Sequence, residues 1–114
     1  MKRFLLFMSI LGAGCASVPP PPPVDQAMLD LAVERGVEPQ ALENGRRLYL
    51  TRCTNCHGNV RLDQYDPLRW PTIMDRMAPL AGLDLPQRDD LEDYLQLARA
   101  LKAAQGDSIS RSAK

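Results

Sequence analysis

A run of five prolines, Pro19 to Pro23, cuts the chain in two and restricts where a fold can form. Proline has a fixed φ and no amide hydrogen, so the run cannot be a helix interior and favours extended polyproline II. At ~3.1 Å per residue it would hold the following domain ~15 Å from its attachment point. A passive linker is the plainer account of the same residues. Roughly 80 to 90 residues remain beyond it for one domain, read as 24–105. That is at the low end for an unaided hydrophobic core. Its aromatics are only Tyr49, Tyr65, Trp70 and Tyr94. A domain so short of large side chains needs a staple.

The residues before the prolines read as an export signal. Met1-Lys2-Arg3 is basic, Phe4 to Leu11 is apolar apart from Ser9, and small residues lead to Cys15. The apolar run is too short to cross a bilayer as a helix. A buried N-terminal helix is the other reading, but it would run directly into the prolines. Leu11-Gly12-Ala13-Gly14-Cys15 resembles the cleavage box of bacterial lipoproteins, with Gly12 where the strongest form has Leu. The resemblance implies a signal peptide over 1–14, lipidation of Cys15 and a tether over 15–23. With Ala16 and Ser17 following the cysteine and no acidic sorting residue at the second place, it also implies delivery to the outer membrane, with the domain in the periplasm. Ordinary secretion with cleavage nearby is the alternative. From Ala16 onward, twelve Lys and Arg face fourteen Asp and Glu, a net charge of minus two. No basic patch is interleaved with aromatics, which argues against a nucleic-acid partner.

The periodicity predicts four helices and no strand. Val24 to Glu34 places Val24, Ala27, Met28 and Leu31 on one face and stops near Gly36. Gln40 to about Arg52 brings Leu42, Gly45, Leu48 and Tyr49 within reach of one another. Gly45 costs ~1 kcal/mol in a helix interior relative to Ala, which makes sense if another helix crosses closely there. A third helix is expected from Asp66-Pro67, with Trp70, Ile73, Met74 and Met77 inward and Pro79 at its end. Asp84 and Gln87 have capping-box spacing, opening a fourth helix with Leu91, Tyr94, Leu95, Ala98 and Leu101 as its buried stripe. Residues 106–114 read as a frayed polar tail.

Cys53-Thr54-Asn55-Cys56-His57 supplies the staple. Cys-x-x-Cys-His is the attachment signature of c-type haem. Two thiols one turn apart can add to two vinyl groups, and the adjoining imidazole then serves as proximal iron ligand. His57 is the sole histidine. A thioredoxin-like pair would need an α/β frame, and structural zinc would need four ligands. The sulfur candidates for the sixth position are Met28, Met74 and Met77. Met28 is expected on a segment packed outside the haem fold. Met74 and Met77 are three apart on one helix, so only one can meet the iron and the other fills the core.

From about Gln40 to Ala100 the chain resembles a class I cytochrome c. Gly45, Leu48 and Tyr49 are similar to its first-helix pattern, and Leu91, Tyr94 and Leu95 to its last helix. Trp70-Pro71-Thr72-Ile73-Met74-Asp75-Arg76-Met77 resembles a short bacterial mono-haem subgroup, whose Arg-Met pair presents the methionine to iron. The resemblance implies a small all-α cytochrome c fold around one covalent haem. It assigns thioether bonds to Cys53 and Cys56, proximal ligation to His57, and distal ligation to Met77 with Met74 as runner-up. Nineteen residues separate His57 from Met77, far fewer than in mitochondrial cytochrome c.

The expected function is electron transfer, without enzymatic activity of the chain's own. Filled axial positions suit an outer-sphere carrier between periplasmic redox proteins, on its own or as the haem subunit of a dehydrogenase. The alternative is a five-coordinate haem enzyme or gas-binding cytochrome. Trp70 and Tyr65 are candidates to contact propionates, and Arg61 or Arg76 to offset their charge. An ordinary packed Trp and solvated arginines explain these residues equally well. Arg46, Arg47 and Arg52 flank the motif and could bias docking, or form a solvated helix face. Asp89, Asp90, Glu92 and Asp93 suit the positive end of the last helix.

Overall fold

A computed structural model of the chain describes Gly14 and residues 17–114. The export signal read over 1–14, Gly14 aside, and the lipidation residue Cys15 lie outside the described residues. The fold is all-α. Helix α1 spans Gln26–Arg35, α2 Pro39–Thr51, α3 Trp70–Leu80 and α4 Leu85–Ser112. Single 3-10 turns occupy Cys53–Asn55, Leu62–Gln64 and Pro67–Arg69, and no strand occurs among the described residues.

Local chemistry sets the helix ends. The Asp25 carboxylate accepts from the Met28 amide at 3.0 Å and starts α1. Gly36 stops it in the left-handed region, at φ 67°, with its amide donating to the carbonyls of Ala32 and Val33. Asp84 and Gln87 form the reciprocal box that opens α4, at 2.9 and 3.1 Å. Asp66 also caps, accepting from the Leu68 amide at 2.8 Å. It starts a 3-10 turn rather than α3, whose first residue is Trp70.

The centre of the fold is the crossing of α2 and α4. An ideal Cβ on Gly45 would lie 2.6 Å from the Cβ of Tyr94 and would overlap the Asp90 carbonyl. Only glycine lets the backbones approach this closely. Leu42 and Tyr49 of α2 and Leu91, Tyr94, Leu95 and Ala98 of α4 form the core, with Trp70 and Met74 of α3 against them. At ~25 cal/mol per Å² of apolar surface removed from water, this shared burial is the main stabilising term.

Besides the start of α3, three expectations are corrected. Met28 does not pack outside the body: it is fully buried, and α1 joins the same core. The tail is not frayed from Gly106, because α4 continues to Ser112. One glycine costs only ~1 kcal/mol, and Lys102, Ala103, Ala104 and Gln105 lead into it as good helix formers. Arg111 near the helix end also suits the dipole. Finally, the proline run does not stand away from the domain along its whole length, since Pro21 is buried.

Candidate functional site

The motif begins where α2 runs out. A terminating helix leaves its last carbonyls without partners. The two variable residues of the motif satisfy some of them. Thr54 Oγ1 donates to the Leu50 carbonyl at 2.7 Å and Asn55 Nδ2 to the Thr51 carbonyl at 2.8 Å. The Cys56 amide closes the turn on the Cys53 carbonyl at 3.4 Å. Polar residues between the cysteines thus bend the chain so that both thiols follow one another around a tight corner.

His57 follows at the rim, exposed. Its Nδ1 lies 2.8 Å from the Gly58 carbonyl. In the tautomer that donates to this carbonyl, Nε2 keeps its lone pair free, the state a metal ligand requires. The next stretch is pinned by Tyr49, whose hydroxyl accepts from the Val60 amide at 2.9 Å. Burial pushes the Tyr49 hydroxyl up from the ordinary tyrosine value, and the Val60 bond offsets part of that.

Beside the motif lies a cleft of about 560 Å³, counting the space at its open mouth. Tyr49, Cys53 and His57 form one wall, α3 supplies Trp70, Ile73, Met74 and Met77, and α4 supplies Leu95. Val60 and Tyr65 complete it. The walls are almost wholly apolar. Met74 is 2% exposed and belongs to the core, while Met77 is 39% exposed at the mouth. Tyr65 meets Trp70 edge-on, with ring centroids 5.8 Å apart.

One polar atom of the wall residues has no partner: Trp70 Nε1 is buried and makes no hydrogen bond, and a buried unpaired donor costs about 1–3 kcal/mol. Burial, and secondarily the neighbouring Cys56, pushes the Cys53 thiol up from its ordinary value, and the helical frame around it is not the α/β setting of a thioredoxin-like pair. No group of three or more His, Cys, Asp or Glu side chains converges among the described residues, so a structural zinc site lacks donors there.

The remaining candidates separate. Arg76 lines a shallow hollow with Arg69, Thr72, Ile73 and Met77, next to the cleft. Arg61 pairs with Asp63 at 3.2 Å and is not on the cleft wall. Arg52 donates to the Ala81 carbonyl at 3.3 Å, Arg46 turns to the Pro22 carbonyl, and Arg47 is exposed. The acidic run on α4 is structural: Arg88 bridges Asp75 of α3 at 2.7 Å and Asp89 and Glu92 at 3.2 Å, and Asp90 accepts from Asn44.

Sequence reasoning missed the roles of Thr54, Asn55 and Tyr49 in shaping the motif. The signal was available in two hydrogen-bonding residues just after a helix end. No protein-family model matches the chain, and no curated protein or solved structure shows significant similarity to it.

Proposed function

We propose that the cleft holds one haem, joined by thioether bonds to Cys53 and Cys56, and that the protein is a periplasmic single-electron carrier. The observation that carries this reading is the convergence of Cys53, His57 and two methionines on one apolar cleft. The donor set fits the group: the Cys53 thiol and an imidazole with a free nitrogen on the cleft, thioether sulfur across it, and the exposed Cys56 thiol not on the cleft wall but at the adjoining hollow that Cys53 and Met77 also border. The bound haem supplies a reversible one-electron couple.

The chain's own residues then do the rest. Gly58 orients the His57 ring through Nδ1, which strengthens Nε2 as a donor to iron. Met77 is the preferred distal ligand, because Met74 is committed to core packing while Met77 stands at the mouth. Thioether ligation and the apolar walls both favour the reduced state and raise the potential. Trp70 would offer its unpartnered N–H to an acidic edge of the group. His57 and Met77 would together hold the iron, which leaves the chain the role of an electron carrier and not of a substrate-transforming enzyme. Lipidation at Cys15 would tether it to the outer membrane, and its partners would be periplasmic redox proteins.

Protein matured in a cytochrome-assembling host is expected to be coloured and to keep its pigment in acidic acetone. Colourless protein, or pigment that extracts, would end the proposal. The reduced holoprotein should bind carbon monoxide slowly and weakly; tight, rapid binding would favour the five-coordinate alternative.

Trp70→Phe gives a differential test. It keeps an aromatic ring, removes the N–H and leaves a small void whose cost both forms share. The holoprotein should lose about 1–3 kcal/mol more than the unloaded chain, in which the N–H has no partner to lose. Thermal unfolding of both forms reads this, and equal shifts in the same direction would dismiss the indole as a cofactor contact.

A further inference from the structure

Polyproline carries no amide hydrogens, so anything that binds it must offer donors to its carbonyls and flat or apolar surface to its rings. The α2–α4 crossing offers these. The Tyr94 hydroxyl donates to the Pro22 carbonyl at 2.6 Å, and Arg46 Nε donates to the same oxygen at 3.1 Å. A carbonyl oxygen has two lone pairs, and here both are engaged. Pro21 is buried beside it. The Pro23 carbonyl accepts from the Asp25 amide at 3.0 Å, and Asp25 in turn caps α1. The run therefore passes into the first helix without slack.

The receiving side is equally built. Tyr94 is fully buried, and burial pushes its hydroxyl well above the ordinary tyrosine range, so it stays a donor across the pH range of a cell. Gly45 admits the Tyr94 backbone against α2, and Arg46 is the next residue along. The close helix crossing and the proline contact thus share one place.

We infer that the Tyr94–Arg46 face is a docking site for a polyproline segment, occupied by the chain's own Pro21 and Pro22, and that it sets the flank from which the tether leaves. Neither Arg46 nor Tyr94 lines the cleft, whereas Tyr49 and Leu95 on the same two helices do. Tether and cleft therefore use different faces of one helix pair. The free spacer shortens from five prolines to Pro19 and Pro20, which span ~6 Å at 3.1 Å per residue. This inference does not depend on what the cleft binds.

Cleavage of the purified full-length protein by a proline-specific endopeptidase, between Pro23 and Val24, tests it. Docking slows attack, because the protease needs an extended, released segment. Tyr94→Phe keeps the ring and deletes only the hydroxyl, and should speed cleavage roughly tenfold, the effect of one good hydrogen bond. Arg46→Met should act in the same direction. Pro21→Ser alters the strap alone, leaves the helix crossing untouched and should also speed cleavage, which keeps the test valid if a body variant misfolds. Rates unchanged in Pro21→Ser and in a folded Tyr94→Phe would overturn the docking site.

Discussion

Met74→Ala is expected to destabilise the protein by about 2–5 kcal/mol while leaving the spectrum of the holoprotein intact; Met77→Ala should do the reverse. Met74 is 2% exposed and packs with Trp70, Leu91 and Leu95. Truncating it removes the transfer energy of its side chain and leaves a void that a helix sandwich closes only partly. For a domain of this size, each kcal/mol moves the midpoint of thermal unfolding by roughly 4–8 °C. Met77 touches less. It borders the cleft, the Arg69–Arg76 hollow and a third hollow shared with Cys56 and Leu80. Its loss should leave the fold almost unchanged. Under the haem proposal it should abolish the weak sulfur-to-iron band in the far red and open the distal position to carbon monoxide. If the band instead disappears in Met74→Ala and persists in Met77→Ala, the ligand assignment is reversed.

Gly45→Ala should also destabilise the protein, by about 1–3 kcal/mol or more, although at an exposed helix interior the same change gains up to ~1 kcal/mol. The sign is decided by the crossing. The added methyl would fall 2.6 Å from the Tyr94 Cβ and into the Asp90 carbonyl, so α2 and α4 must move apart. Neither neighbour can rotate away, since one is backbone and the other is the root of a buried ring. Chemical denaturation at two wavelengths checks this. An unchanged or raised midpoint would show that the crossing is looser than the structure has it.

The parts of the fold legible in the sequence were those governed by local or periodic rules. Asp84 with Gln87, Gly36 after α1, and the stripe from Leu91 to Leu101 behave as spacing and capping chemistry predict. Gly45 was legible for a different reason: a residue that weakens its own helix needs a compensating contact. What stayed hidden depends on distance in sequence. Nothing near Pro22 announces that its carbonyl meets Tyr94, seventy-two positions away. The period of α1 puts Met28 on an apolar face, but does not say that this face folds back onto α4 and joins the central core. The extension of α4 to Ser112 was obscured by a polar, glycine-containing stretch whose helix is largely exposed and rests on propensity.

At the cleft, the motif pointed to Cys53, Cys56 and His57, and helical spacing brought Trp70, Met74 and Met77 to one side. The difference in exposure between the two methionines was beyond reach, because both positions satisfy the same three-residue step. The unpaired state of Trp70 Nε1 was equally invisible. It is a property of what surrounds the indole in the folded chain, which the spacing within α3 does not specify.

The tie between Gly45 and the Asp90–Tyr94 turn has an evolutionary corollary. Everything from Cys53 to Leu83 is an excursion between two helices already fastened to each other. Lengthening such an excursion is cheap, at about 0.6 kcal/mol for each doubling of a flexible loop. Descendants of this chain could therefore gain residues at the exposed Asp63 and Gln64, and with them a different rim around the cleft, while the buried Leu62 and the Val60–Tyr49 bond hold the rest of that segment to the scaffold.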